Sequence, residues 1–206
     1  MIVGNDVVDL ELMGEPSEGF VARVLAPEER RAPPTAADVW RLWAAKEAAF
    51  KILARRDRRL PFVHARFVVD VEAGLVRHPR GEVRVRWGQH GAALGCVGWQ
   101  GAGACTTAVA TAEEAEAAAA GFTLGAREAS GVTGLLSVAV RLLAKNLLCR
   151  RLGRSWTDVE LLRPGAGPPE VWLGGAPAPD IGISLAHDGR FVACAVGLDA
   201  SARYWP

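Results

Sequence analysis

The chain of 206 residues carries 24 lysine and arginine residues against 23 aspartate and glutamate residues, and 50% of its residues are hydrophobic. This composition can form a substantial core, which excludes a disordered tail and a miniature domain held together by disulfides. The formal net charge of +1 argues against general nucleic-acid binding, since proteins of that class usually carry a strong basic excess.

The cysteines and the first residues bear on the compartment. The four cysteines stand singly in apolar surroundings without a Cys-x-x-Cys pair, so they predict neither a zinc site nor a disulfide framework. The first residues contain no basic region that leads into an apolar run, and no stretch reaches the ~20 apolar residues of a membrane span. We therefore expect a cytoplasmic protein without a membrane partner.

The first element is a short strand. Ile2 to Leu10 alternates apolar residues around two aspartates, and Gly4 allows another backbone to approach closely. Asp6 and Asp9 point to opposite faces of such a strand, and Asp6 is the stronger candidate for a carboxylate that faces a cavity. A capping or turn role for Asp6 is the alternative.

Two helix openings follow along the chain. Pro27 and the two glutamates after it are typical of a first helical turn. A longer helix is predicted from the capping residues between Thr35 and Asp38 to about Ala54.

This longer helix carries the most informative pair of side chains. Glu47 and Lys51 lie one turn apart on the flank of an apolar stripe formed by Trp43, Phe50 and Ala54. Such a pair can supply a metal ligand and a phosphate-binding cation. It can also be an ordinary ion pair that contributes roughly 0.2–0.5 kcal/mol.

The pattern then changes to short β-rich runs separated by glycine-bearing turns. The predicted strands are Ala65 to Val71, Gly81 to Trp87, Ala93 to Trp99 and Ala104 to Thr111. A helical run, Ala112 to Ala120, and a connection, Gly121 to Gly131, follow them.

The same order of elements then recurs. A helix is predicted from Leu135 to Leu152, and the strands after it are Asp158 to Leu162, Glu170 to Leu173, Ile181 to Leu185 and Phe191 to Val196. We therefore predict an α+β fold of two similar modules, each a long helix packed on an antiparallel sheet, that form a pseudo-dimer. The N-terminal module spans 1–120, the linker 121–131 and the C-terminal module 132–206, and a shared site is expected at their junction.

The second module offers its own polar candidates. His187 lies at the end of a strand before an Asp-Gly turn, where an imidazole can donate to a phosphate oxygen or can be merely structural. Ser137, Arg141 and Lys145 recur every four residues on the predicted helix, as in a polyanion site or in any solvated face. The chain has no Gly-x-Ser-x-Gly elbow, no cysteine in an activating setting and no Walker loop.

Four motifs together resemble the 4′-phosphopantetheinyl transferase superfamily: Gly4-Asn5-Asp6-Val7-Val8-Asp9, Leu25-Ala26-Pro27-Glu28-Glu29-Arg30, Trp43-Ala44-Ala45-Lys46-Glu47-Ala48-Ala49-Phe50-Lys51 and Ile183-Ser184-Leu185-Ala186-His187-Asp188-Gly189. The length resembles the two-module type of the superfamily, in which the histidine motif precedes the other motifs. Here that order is reversed, so the chain resembles a permuted pseudo-dimer.

The resemblance implies an enzyme that moves the phosphopantetheine arm of coenzyme A onto a serine of an acyl or peptidyl carrier protein and releases adenosine 3′,5′-bisphosphate. Such carriers serve fatty-acid, polyketide or nonribosomal-peptide synthesis. Asp6 and Glu47 would hold Mg²⁺, and Glu47 would help to deprotonate the serine. Lys51, and less strongly Lys46, would neutralise phosphate oxygens, and His187 would bind phosphate from the other module. A monomer would suffice.

Three positions depart from the family pattern. Ala186 stands where a serine commonly precedes the histidine, Pro168 replaces a lysine, and Val8 replaces a second strand acid. Coenzyme A would then bind more weakly unless Arg141 or Lys145 compensates. The alternatives are a non-catalytic coenzyme-A-binding or scaffold protein of the same fold, and a two-module interaction protein without a small ligand.

Overall fold

Two long helices, each packed on antiparallel strands, organise the chain in a computed structural model that describes residues 1–30, 34–165 and 167–200. The α-helices are α1 Leu10–Met13, α2 Glu18–Val24, α3 Ala36–Arg56, α4 Ala112–Ala118, α5 Ala126–Ala129 and α6 Leu135–Leu152. Short 3₁₀ helices cover Pro27–Arg30, His64–Arg66 and Trp156–Asp158. None of the helices in the described part of the chain is long and apolar enough to cross a membrane.

Eleven strands are described, and all their pairings are antiparallel. They are β1 Ile2–Asp9, β2 Val68–Asp70, β3 Leu75–His78, β4 Gly81–His90, β5 Ala93–Gln100, β6 Gly103–Thr111, β7 Val159–Leu162, β8 Glu170–Leu173, β9 Ala176–Pro177, β10 Ile181–Asp188 and β11 Phe191–Asp199. The predicted α+β class is therefore confirmed.

Four local details of the prediction need correction. The helix expected to open at Pro27 is a single 3₁₀ turn, and the helix of this region, α2, ends before it. The strand expected from Ala65 begins only at Val68, after a 3₁₀ turn. The sequence reading also missed β3, and the connection 121–131 contains the one-turn helix α5.

Helix α3 packs closely on β1 in the first half of the chain. Thr35 and Asp38 form a reciprocal capping box at its start. Small buried residues such as Ala48 allow the helix to approach the strand, and a Cβ built on Gly4 would lie 2.2 Å from the carbonyl oxygen of Ala48. Only glycine fits at that position. The sheet beneath the helix has the strand order β1-β5-β4-β3-β2.

The second half repeats this arrangement once β6 is grouped with it. Strand β6 pairs with β11, which pairs with β10, so the order β6-β11-β10 corresponds to β1-β5-β4. A separate three-stranded sheet, β7-β8-β9, completes this half. The predicted end of the first module at residue 120 stays a prediction. The pairing of β6 with β11 favours a boundary between the modules near residue 101.

A buried ion pair occurs in both halves with the same surroundings. Lys46 of α3 pairs with Glu29, and Lys145 of α6 pairs with Glu128. In each half the glutamate precedes the lysine by 17 residues. Each glutamate also accepts hydrogen bonds from two backbone N–H groups, one three residues before it and one on the first strand after the long helix. The donors to Glu29 are Ala26 and Val69. The donors to Glu128 are Gly125 and Leu161. The two halves therefore share a polar scaffold that sequence identity hardly shows.

The halves meet where β1 packs on β10 and β11. Glycines allow the close contact: a Cβ on Gly182 would lie 2.5 Å from the carbonyl oxygen of Met1, and one on Gly197 would lie 2.5 Å from Val3 Cγ1. Farther along β1, Val7 packs with Ala186 and Phe191. The carboxyl end of β1 thus lies beside the hairpin that joins β10 and β11.

Candidate active site

An open cavity of about 360 Å³ lies at this junction and is lined by both halves. Its polar groups are Asp6 of β1, Glu47 of α3, and His187 and Asp188 of β10. Met13, Phe20, Trp40 and Trp43 are among its apolar lining residues. Side chains from three separate parts of the sequence thus share one cavity.

The two carboxylates lie in an electrostatically unfavourable setting. Asp6 alternates with Gly4 on the face of β1 that packs on α3, and Glu47 lies on that helix. Burial raises the pKa of Glu47 to about 7, and the negative charge of Asp6 acts in the same direction. Burial also raises the pKa of Asp6 above its usual value, although Lys51 opposes the shift.

Lys51 balances part of this negative charge. Its Nζ lies 3.1 Å from Asp6 Oδ1 and donates a hydrogen bond of 2.7 Å to the carbonyl oxygen of Asn5. Lys51 therefore bonds to strand β1. The sequence alone also allowed an ordinary i,i+4 ion pair of Lys51 with Glu47. About a third of the Lys51 side chain stays exposed, and Lys51 lies beside the cavity rather than among its lining residues.

His187 and Asp188 reach the cavity from the second half. His187 is exposed at the end of β10. Asp188 Oδ2 accepts the backbone N–H of Asp9 at 2.9 Å, and its charge contributes to the raised pKa of Asp6. The sequence reading treated Asp188 as a turn residue and missed its place on the cavity.

The donor set suits a hard divalent cation. Two neighbouring carboxylates whose pKa values are raised by burial would be stabilised in their charged form by a cation, and oxygen ligands are those that Mg²⁺ prefers. Among residues 1–30, 34–165 and 167–200, no group of three or more His, Cys, Asp or Glu side chains is placed to hold a metal ion. Asp6 and Glu47 are the neighbouring carboxylates that could serve as ligands of such a cation.

Comparison with known families fits this geometry. Residues 2–97 match the family model described as the 4′-phosphopantetheinyl transferase superfamily. Over these residues the chain is similar to that superfamily. The match covers Asp6, Glu47 and Lys51 but ends before His187, and it points to phosphopantetheinyl transfer at the superfamily level. The comparison with curated proteins finds no match.

The buried ion pairs correct the prediction that Lys46 and Lys145 bind phosphate. The side chain of Lys46 is fully buried, and its Nζ donates to the carbonyl oxygen of Val24 and pairs with Glu29. Lys145 is equally enclosed and pairs with Glu128. Neither lysine reaches the cavity, so the expectation that they bind phosphate is wrong.

Ser137 and Arg141 do not line the carboxylate cavity either. Arg141 donates to the carbonyl oxygen of Ser137 at 2.8 Å and lines a separate cavity of about 350 Å³ together with Arg163. Burial and the neighbouring Arg163 lower the pKa of Arg141. Two guanidinium groups in one cavity favour an anion. Arg163 lies just after β7 and gave no signal in the sequence.

Arg55 was also missed by the sequence reading. It follows Lys51 by one turn of α3, as Lys51 follows Glu47, and this repeated spacing was the available signal. Arg55 lines a third cavity of about 300 Å³ with residues at the start of β1 and with Pro169 and Glu170. Its guanidinium donates to the carbonyl oxygen of Ile183 on β10. Polar side chains of α3 thus follow the junction between the halves.

Two of the positions that depart from the family pattern, Val8 and Ala186, lie in apolar, buried surroundings. Val8 shares the strand face of Asp6 and lines the carboxylate cavity, so a buried side chain without oxygen lies beside the two carboxylates. Ala186 is buried in the small apolar cluster at the junction. Val8 therefore offers no further carboxylate for a metal ion, and Ala186 offers no hydroxyl for a phosphate.

Proposed function

We propose that the chain is a Mg²⁺-dependent 4′-phosphopantetheinyl transferase. It would move the phosphopantetheine arm of coenzyme A onto a serine of an acyl or peptidyl carrier protein and release adenosine 3′,5′-bisphosphate. The observation that carries this proposal is one cavity that combines the carboxylates of Asp6 and Glu47 with His187 from the other half, beside the ammonium group of Lys51.

The residues of the chain would bind and orient the phosphates. Asp6 and Glu47 hold the metal ion, which when bound neutralises charge on the pyrophosphate of coenzyme A. Lys51 offers its ammonium group to phosphate oxygens, and His187 donates to them from the second half. Catalysis then depends on positioning and charge stabilisation, as in other phosphoryl transfers.

Glu47 would also accept the proton of the attacking hydroxyl. The carboxylate of Glu47, beside the bound cation, would stay in the ionised form that can take up this proton. The serine oxygen forms a bond to the β-phosphorus, the bond from that phosphorus to the bridging oxygen breaks, and adenosine 3′,5′-bisphosphate leaves.

The nucleotide part of coenzyme A would lie toward Arg55. The cavity that Arg55 lines comes after the carboxylate cavity along α3. A ligand whose pyrophosphate contacts Lys51 can therefore extend toward Arg55. Arg141 stays a predicted phosphate contact, and Arg163 is now a better partner for it than the buried Lys145.

The proposal includes a pseudo-dimer with one site per chain. The repeated ion pairs and strand orders support two related modules. The offset that relates Lys46 to Lys145 also relates Glu47 to Asn146 and Lys51 to Arg150, so the second helix lacks the metal-binding carboxylate. The reversed module order, the monomeric state and the cytoplasmic location stay predictions.

The test is mass spectrometry of a panel of apo carrier proteins incubated with the chain, coenzyme A and Mg²⁺. A gain of about 340 Da, the mass that this phosphoryl-type transfer adds to the serine, is expected on at least one carrier and is lost with EDTA. If coenzyme A binds but no carrier gains mass, the non-catalytic coenzyme-A-binding protein replaces the enzyme. The apolar Val8 and Ala186 are the observations that favour that second candidate.

A further inference from the structure

The tip of the β10–β11 hairpin is closely packed on the end of β1. Gly189 at the tip has a φ of 53°, which favours glycine. A Cβ at this position would lie 2.7 Å from Asp9 Oδ2 and 2.6 Å from Leu12 Cδ1. The backbone of the tip therefore packs directly against the carboxyl end of β1 and against α1.

Asp9 beneath this tip is a buried carboxylate. Its exposed fraction is 0%, and Oδ1 accepts the backbone N–H of Glu11 at 3.2 Å. Oδ2 lies 3.2 Å from Nε of Arg190, and Oδ1 also accepts a long hydrogen bond of 3.5 Å from Nη2 of the same guanidinium. Arg190 pairs with Glu11 as well. A buried charge requires such a partner, and here it comes from the other half of the chain.

A backbone contact joins the same two segments. The N–H of Asp9 donates to Asp188 Oδ2 at 2.9 Å. Asp188 lines the carboxylate cavity together with the preceding His187. The position of the hairpin tip therefore determines where both side chains lie relative to Asp6 and Glu47.

We propose that Arg190 is a positioning residue whose ion pair with Asp9 holds the hairpin tip on β1 and so keeps His187 and Asp188 at the carboxylate cavity. Arg190 itself acts through His187 rather than on a substrate. The placement of the tip follows from the contacts alone, whereas its effect on phosphopantetheinyl transfer rests on the proposed function.

Hydrogen exchange followed by mass spectrometry or NMR tests the placement without any ligand. In Arg190→Gln the amide of Asp9 and the amides of 187–191 should exchange at least about tenfold faster, because the contacts across the junction open locally. The amides of α3 and of β7–β8 should keep their wild-type rates. Unchanged exchange at Asp9, or an equal rise over the whole chain, would overturn the proposal.

Kinetics test the link to His187. In Arg190→Gln, kcat/KM for coenzyme A should fall about tenfold, as expected for a displaced binding group, and Arg190→Lys should restore most of it. The double variant Arg190→Gln, His187→Ala should lose no more than His187→Ala alone, since residues that act as one unit are not additive. Fully additive losses would contradict action through His187.

A matched control separates this effect from the loss of any surface arginine. Arg77 pairs with Asp70 and Glu82 in the first half, and its side chain is 50% exposed against 49% for Arg190. Arg77→Gln should leave exchange at Asp9 and the transfer rate unchanged. If the wild-type chain modifies no carrier, the proposed function fails, while the exchange measurement still decides whether Arg190 fixes the hairpin tip.

Discussion

Glu47 occupies a half-buried position next to Asp6, where burial and the neighbouring charge raise its pKa from 4.5 to about 7. Between these two values the folded chain binds more protons than the unfolded chain, so the free energy of unfolding falls as the pH rises through this interval. The arrangement lowers stability at neutral pH in the absence of a cation. This cost is typical of a site that serves binding rather than folding.

Replacing Glu47 by Gln should therefore stabilise the metal-free protein. We expect the Tm of Glu47→Gln at pH 8 in EDTA to exceed that of the wild type by roughly a few degrees, because the uncompensated buried charge is gone. The difference should shrink toward pH 4.5, and Mg²⁺ should raise the Tm of the wild type more than that of the variant. Thermal unfolding over this pH range, with and without Mg²⁺, measures both effects.

The control for this change is Glu82→Gln. The side chain of Glu82 is 61% exposed, so its removal should shift the Tm little and without dependence on Mg²⁺. A Glu47→Gln variant that is no more stable than Glu82→Gln at pH 8 would show that the carboxylate pair is not strained.

At the same scale, the sequence could indicate which polar residues share a cavity but not which lysines are buried. The motif residues Asp6, Glu47 and His187 lie on one cavity. Lys46 precedes Glu47 in the same motif, yet its side chain points with Leu42, Ala45 and Ala49 into the core. The spacing of residues along a helix shows which face each residue occupies, and Lys46 lies on the apolar face. A buried lysine then needs a carboxylate, which Glu29 provides.

The elements that carry the site are supported by the repeated ion pairs. Helix α3 is attached through Lys46 and Glu29 to the turn before it and to β2, and α6 is attached in the same way through Lys145 and Glu128. Because Glu47 and Lys51 lie on α3, the first of these ion pairs also fixes the helix that supplies them.

Breaking either pair should be severely destabilising. Lys46→Ala leaves Glu29 buried without a cation and should lower the free energy of unfolding by about 3–5 kcal/mol, and Lys145→Ala should do the same in the second half. Urea denaturation measures the change. Arg127→Ala, which breaks an exposed ion pair with Glu160, is the matched control and should cost less than about 1 kcal/mol. Equal losses in all three variants would refute a special role for the buried pairs.

Long elements were predictable and short ones were not. The bounds of α6, Leu135–Leu152, agree with the prediction, because apolar periodicity and flanking glycines mark them. The four-residue strand β8, Glu170–Leu173, is an exception among the short elements, since its predicted bounds agree as well. The 3₁₀ turn at Pro27–Arg30 and the four-residue strand β3 are too short for periodicity to identify. Tertiary contacts decide such segments, and the Glu29 hydrogen bonds to Ala26 and Val69 are an example.

For the whole molecule, the recurrence of elements predicted two related halves but not the place of β6. The sequence reading assigned Ala104 to Thr111 to the first module, since it follows three other predicted strands. In the structure β6 pairs with β11. Pairing between strands that are far apart in sequence is not encoded in local patterns, whereas the neighbouring hairpin β4–β5 is. The pseudo-dimer remains a proposal that these pairings support.

The carboxylate cavity at the junction of the halves is the proposed place of transfer. If transfer occurs there, Glu47→Gln removes a metal ligand and the proton acceptor together while the fold is kept or even stabilised. Glu82→Gln keeps the cavity intact and serves again as the control.

The most direct test is the rate of carrier modification by Glu47→Gln, followed by mass spectrometry with coenzyme A and Mg²⁺. We expect the rate to fall by at least about a thousandfold, as for the loss of an essential acid–base group, while Glu82→Gln retains the wild-type rate. A Glu47→Gln variant that modifies the carrier at a rate close to that of the wild type would contradict the assignment of the active site to this cavity.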